Sequence, residues 1–176
     1  MASVHPSLTP PVVEWIERQH LFFVASAPLA ADGHVNVSPK GLDTLRILDD
    51  MTVAYLDLTG SGVETVAHVR ENGRITVMWC AFDGPPRIVR VHGRAEVVDV
   101  DDPRVAGRFD TIPGARAVVI VHAERISDSC GYSVPQFSFD GDRSKLVEWA
   151  DHQGPDGLAA YRAARNSTSI DGLPAL

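Results

Sequence analysis

The sequence predicts a mostly β fold with some helix (β+α), a small antiparallel barrel flanked by short helices. Two observations predict it. Six apolar or alternating runs of strand length fall between residues 21 and 126, mostly joined by hairpin-type links. One helical pattern interrupts them after a glycine turn, and a longer one follows them. With 176 residues the chain is long enough for one domain with its own core, read as a single domain over 1–176. The barrel takes about residues 20–128 and a helical tail about residues 140–176.

The elements follow in order. "TPPVVEWIERQHL" starts a helix, with Thr9 as cap, prolines in the first turn, and Val12, Val13 and Ile16 on one side. "LFFVASA" (21–27) is a buried strand, and Asp32-Gly33 is a hairpin signal leading to "HVNVSPKG". There Val35 and Val37 face one way, and His34, Asn36 and Ser38 the other. "TVAYLDL" (52–58) is the third strand. Residues 61–71 form a helix with Val63, Val66 and Ala67 inward, and "RITVMWCAF" (74–82) is the fourth strand. In "RIVRVHGRAEVVDV" (87–100), Val89, Val91, Ala95 and Val97 share one face and Arg90, His92, Arg94 and Glu96 the other. "DDPRVAGRF" reads as a short helix and "ARAVVIVHAERI" (115–126) as the sixth strand. The tail reads as one or two helices broken near Gly154-Pro155, which either cover a cleft or cross to a partner subunit.

Composition narrows the function classes. A net charge of -7 argues against a general nucleic-acid binder and gives no electrostatic reason to sit on an anionic membrane. No apolar stretch approaches the roughly 20 residues of a membrane helix. The start, "MASVHPSLTPPVVEW", lacks the pattern of a signal peptide, so a cytoplasmic location is expected. Cys80 and Cys130 form no C-x-x-C and are expected to be reduced thiols.

The chemistry-bearing candidates start with Thr59-Gly60-Ser61-Gly62, between a strand and a helix. Glycines there permit close approach, and the first amides of the helix are free to meet an anion, with Thr59 and Ser61 adding hydroxyls. The alternative is that Ser61 only caps its own helix. The pattern is neither a P-loop nor a G-x-G-x-x-G fingerprint. Lys40, the one lysine before Lys145, gains meaning if it points at this turn. The seven histidines contain no H-E-x-x-H pair, so no metal site is expected. No serine lies in a G-x-S-x-G elbow, and Cys130 reads as a small buried or half-buried residue beside a turn. No side chain stands out as a general acid or base, so the catalytic residue is unassigned.

The order of "HVNVSPKG", "TVAYLDLTGSGVETVAHVRENGRITVMW" and "PPRIVRVHGRAEVV" resembles the pyridoxamine 5'-phosphate oxidase-like family, the flavin-binding split barrels. The resemblance covers roughly residues 12 to 128 and implies a six-stranded antiparallel split β-barrel. "CGYSVPQFSF" and "GLAAYRAARNSTSIDGLP" resemble a branch apart from the oxidase itself. The family's R-x-V-L-L-K pattern falls on Val35-Asn36-Val37-Ser38-Pro39-Lys40, keeping Lys40 but with Val35 in place of arginine. Its Y-T-N-Y-G-S-R-K pattern falls on residues 56 to 63, where Gly60 and Ser61 match and Gly62 and Val63 replace the Arg-Lys pair that grips phosphate. In R-Q-V-R-I-E-G, Ile88 stands where glutamine would meet the flavin ring.

The resemblance implies flavin mononucleotide (FMN) held in a homodimer, and an oxidoreductase acting on a small-molecule substrate. The implied cofactor-binding residues are Asn36, Val37, Ser38, Pro39, Lys40, Asp57, Thr59, Gly60, Ser61 and Gly62. Pro39 cannot donate an amide, so its strand must lie at a sheet edge or end there. Three alternatives stay open. They are a deazaflavin-dependent reductase, a flavin or haem carrier without turnover, and a dimeric scaffold without cofactor. The losses at Gly62 and Val63 make the last credible, while the acidic chain offers little of the basic channel that a deazaflavin tail needs.

Overall fold

Every strand pair in the computed structural model, which describes residues 3–176, is antiparallel. The first two residues of the 1–176 span lie outside the described residues. In chain order the elements are β1 (Ser3–His5), α1 (Pro10–Glu17), β2 (Phe22–Ser26), β3 (Asn36–Lys40), β4 (Leu45–Asp49) and β5 (Thr52–Leu58). Then come α2 (Glu64–Asn72), β6 (Arg74–Cys80), β7 (Ile88–Val98), β8 (Ala115–Ser129) and α3 (Lys145–Arg165). The strands form one sheet in the order β3-β2-β6-β7-β8-β5-β4, with β1 added on β8. The expected β+α class holds, with eight strands in the sheet rather than six. β1 is only three residues long, and a bulge between Ile47 and Asp49 cuts the alternation of β4 short.

The sheet coils around one core. Val24, Val53, Tyr55, Val77, Trp79, Val89, Val91, Val119 and Val121 fill it, and α1 seals it with Val12, Trp15 and Ile16. Thr9 takes the N-cap position of α1 without a side-chain cap bond, and Val13 is only half-buried. β5 is buried on both faces, because residues 99–114 cover its outer side with Val105, Phe109 and Ile112 against Ala54, Leu56, Val118 and Ile120. That covering segment is a chain of turns, not the expected short helix. The Asp102 carboxylate bonds the Arg104 amide at 3.0 Å, an Asx turn that competes with helix.

Three further expectations change in detail. β2 and β3 do form a hairpin, but through a nine-residue link (27–35) in which Asp32-Gly33 is not a two-residue turn. Gly33 is required by packing, since a Cβ there would strike the Pro28 ring. α2 begins at Glu64, three residues later than expected, so Ser61 is not its cap; Val63 holds that position with no side-chain bond. α3 is broken where expected, with Gly154 at φ 64° and ψ 177° beside Pro155.

β7 and β8 carry the longest pairing of the sheet, and its register shifts between His92 and Gly93. A Cβ on Gly93 would collide with the His122 carbonyl oxygen, a backbone atom that cannot swing away. Gly93→Ala should therefore destabilise the protein by about 1–3 kcal/mol, as overpacking does. A denaturant midpoint equal to that of the wild type would overturn this account of the bulge.

Candidate functional site

A cavity of about 870 Å³ opens beside the edge strand β3. Its walls come from the end of β3, the end of β5 with the glycine turn behind it, the end of β6, and residues 137–146. β3 is an edge of the sheet, so Pro39 costs no ladder bond on its outer side. The link from β3 to β4 supplies Leu42, the one non-glycine residue with positive φ among the described residues (61°). A bulky side chain in that region costs about 1–3 kcal/mol and persists only where its surroundings enforce it.

The polar end of the cavity is built on Asp57, 1% exposed at the end of β5. Its two oxygens take separate cations. Lys40 Nζ donates to Oδ1 at 2.9 Å and Arg116 Nε to Oδ2 at 2.6 Å. Burial pushes the Asp57 carboxyl up, but Lys40 and Arg116 together outweigh it and hold its pKa below the ordinary value. The Arg116 side chain is 4% exposed and reaches further, donating to Asn166 Oδ1 at 2.8 Å and to the Gly62 carbonyl at 3.1 Å. Asn166 in turn donates to the Gly60 carbonyl at 3.1 Å. The tail thus grips the glycine turn from behind.

Arg162 of α3 adds a third cation, donating to Thr59 Oγ1 at 2.8 Å and to the Ala115 carbonyl at 3.0 Å. Burial, and then the nearby Arg116, lower its pKa. Three cations therefore gather round one buried carboxylate, leaving that end net positive before the rim is counted. Glu64 is the counterweight at the turn itself. Its carboxylate lies where a side chain at position 62 would project, so Gly62 makes room for it. A built Cβ on Gly60 meets nothing within 4 Å, and Ser61 is exposed.

The sequence-derived residues distribute unevenly. Ser38, Pro39, Lys40, Asp57, Gly60, Ser61 and Gly62 border the cavity. Asn36 borders a smaller adjoining cleft with Ser61 and Gly62, its amide bonding Thr65 Oγ1 at 2.9 Å. Val37 projects outward from the edge strand and is exposed. Thr59 is fully buried and its hydroxyl donates to the Gly114 carbonyl at 2.8 Å, so it faces away from the cavity rather than offering a donor there. Lys40 meets the strand before the turn rather than the turn itself.

Cys80 and Cys130 are both free thiols, and Cys130 is exposed rather than buried or half-buried. Cys80 borders the cavity, and burial pushes its thiol up. Sequence reasoning passed over Arg116, Arg162 and Asn166. One signal was present: Arg116 opens the otherwise apolar run "ARAVVIV", and a charge entering a buried strand needs a partner. Arg162 and Asn166 lie at ordinary helix-end positions and carried no comparable mark.

Asp57→Asn removes the shared partner of two cations and should cost roughly 3–5 kcal/mol, the usual penalty for halving a buried pair. The pH dependence has a definite sign. Because the folded pKa of Asp57 is depressed, its contribution is present above the unfolded carboxylate range and drains away as pH falls through the folded value. Denaturation midpoints of the wild type should fall below about pH 4, while those of the Asn variant fall less there. Parallel profiles would show that Asp57 is not held as the charged hub.

Residues 8–130 match the sequence model of the family described as pyridoxamine 5'-phosphate oxidase. The pyridoxamine 5'-phosphate oxidase family protein ustO of Aspergillus flavus is 41% identical over 196 aligned positions, which cover 100% of this chain and 78% of that protein. Among solved structures, HupZ of Group A Streptococcus shares 28% identity at a TM-score of 0.51, covering 67% of this chain and 90% of its own. The FAD binding protein of Mycobacterium smegmatis, 19% identical, superposes with a TM-score of 0.51 over 70% of this chain and 96% of its own, a likeness of fold. No helix is long and apolar enough to cross a membrane among the described residues. On the match over residues 8–130 and the identity to ustO, this chain belongs to the pyridoxamine 5'-phosphate oxidase family.

Proposed function

We propose that the chain is a flavin-dependent oxidoreductase that holds FMN in this cavity and acts on a small organic substrate. The observation that carries the reading is the cationic cluster of Lys40 and Arg116 on buried Asp57, beside a turn that is open at Gly60 and Ser61. The cavity volume lies within the ordinary range for cofactor and ligand sites. The residues present therefore fit a planar group ending in phosphate. Lys40, Ser61 and the turn amides would hold the phosphate, with Arg116 setting the turn from behind. Glu64 would have to swing off Gly62 to free the first amides of α2 for an anion.

Bound flavin would supply the electron transfer, and the chain's residues would position it and tune its surroundings. The β3 edge offers backbone amides and carbonyls along Asn36 to Lys40, interrupted at Pro39. Asp57 is committed to two cations and cannot take a proton from substrate at neutral pH. No general acid or base is assigned. Val37, exposed on the edge strand, and Val35, exposed just before it, support a homodimer as the working assembly. FAD enters the comparison through the M. smegmatis neighbour, so the cofactor's second half is part of the test.

Titration with FMN, FAD and riboflavin, followed by quenching of flavin fluorescence, tests the reading. FMN should bind at least tenfold tighter than riboflavin, which lacks the phosphate. Lys40→Ala should weaken FMN by about 10- to 100-fold, the worth of a charge-assisted hydrogen bond, and Ser61→Ala by less. Riboflavin and FMN binding alike would reduce the turn to a structural feature. The absence of any flavin uptake would return the haem, deazaflavin and cofactor-free scaffold readings to the front.

A further inference from the structure

Asn166 closes α3 as its C-cap and lies beyond the family match, which ends at residue 130. It is fully buried, and each of its polar atoms has a partner. Its backbone amide donates to the Arg162 carbonyl at 2.7 Å, and its backbone carbonyl accepts from the Leu176 amide at 3.2 Å. Its side-chain oxygen accepts from Arg116 Nη1 at 2.8 Å, and its side-chain nitrogen donates to the Gly60 carbonyl at 3.1 Å. A buried asparagine paired at every atom is held to one orientation.

Those bonds reach the glycine turn at two peptide units. Asn166 takes the carbonyl of the Gly60–Ser61 peptide, and Arg116 Nη2 takes that of the Gly62–Val63 peptide at 3.1 Å. Both peptides are trans, so each N–H points opposite to the carbonyl of its own unit. The Ser61 and Val63 amides are therefore turned away from the groups that hold those carbonyls. Neither amide makes a hydrogen bond among the described residues, and Gly60, Ser61, Gly62 and Val63 all border the cavity. Glu64 lies against Gly62 without bonding either amide. Successive amides set by bonds on their reverse side make a concavity that suits an anion.

We infer that Asn166 is a positioning residue for the phosphate of the cofactor. By holding the Gly60 carbonyl and the Arg116 guanidinium together, it aims the Ser61 and Val63 amides into the cavity. This role deepens the flavin reading and rests on it for the identity of the ligand. Asn166 itself touches no ligand. What it contributes is the direction of two donors, and a donor fixed in advance loses little freedom when an anion arrives. Such donors respond to the phosphate and not to the ring, so their signature is a ratio of affinities.

The test titrates the full chain with FMN, with riboflavin, and with inorganic phosphate at constant ionic strength. Flavin fluorescence reports the first two, and the Ser61 and Val63 amide chemical shifts report the third. In the wild type, FMN should bind at least tenfold tighter than riboflavin, and phosphate should move both amides to saturation. Asn166→Ala should lower FMN affinity about five- to twentyfold, part of the worth of hydrogen bonds to a charged group. Its riboflavin affinity should stay within twofold, and phosphate should no longer move the two amides together. Asn166→Leu fills the buried position without a donor and should behave alike, which covers an alanine variant that does not fold. An FMN-to-riboflavin ratio unchanged in the variants would overturn the inference. Equal losses for both flavins would do the same, as the mark of a merely structural role. So would Ser61 and Val63 amides that phosphate leaves unmoved in the wild type, a result that needs no variant. Failure of the flavin reading looks different: the wild type would take up no flavin, while phosphate still moved the two amides and Asn166→Ala abolished that response.

Discussion

One buried carboxylate organises the polar half of this molecule. Asp57 is withdrawn from water at the end of a strand covered on both faces, where an unpaired charge would be prohibitively costly. Lys40 and Arg116 remove that cost, and each is itself half-buried or buried. The dependence is mutual. Without Asp57, Arg116 would be a buried cation with no counter-charge among its hydrogen-bond partners, and Lys40 would keep the face of Tyr55, 5.6 Å away. The pairing ties an edge strand, β5 and the longest strand to one point, and through Arg116 and Asn166 it also sets the glycine turn.

In this turn Gly62 and Val63 stand where the family pattern has an Arg-Lys pair. The pair is missing from the turn, yet positive charge is present nearby, supplied from β8 and from α3. Cations placed behind a turn act differently from cations on it. With Asn166 they hold the Gly60 and Gly62 carbonyls, while exposed Ser61 borders the cavity. Glu64 is the cost of this design, since a carboxylate against Gly62 opposes an incoming anion until it moves.

The C-terminal third serves two purposes from outside the family-defining segment. α3 and the residues after it lock the turn, through Arg162 and Asn166, and dock by the Arg70 side chain donating to the Ala175 carbonyl. The segment before α3 (residues 130–144) brings aromatic side chains to the other end of the same cavity. Residues 130–166 therefore contribute to the cavity wall and to the hold on the glycine turn.

The sequence by itself determined the class of fold, the long strands, that β3 lies at an edge or ends at Pro39, the break in α3 and the pieces that mark the family. Those features are local: period-2 alternation in "RIVRVHGRAEVV", a proline that cannot pair, a Gly-Pro step inside a helix. It missed β1 and β4, which are short or bulged, and it made a helix of residues that an Asx turn holds instead. Only the tertiary structure decided that Lys40 meets Asp57, that Thr59 turns inward, and that Arg116, Arg162 and Asn166 converge from 50 to 106 residues away. The reason is physical. Periodicity reports which face of an element is buried, whereas the partner of a buried charge is set by how distant strands and helices pack, and no local pattern records that.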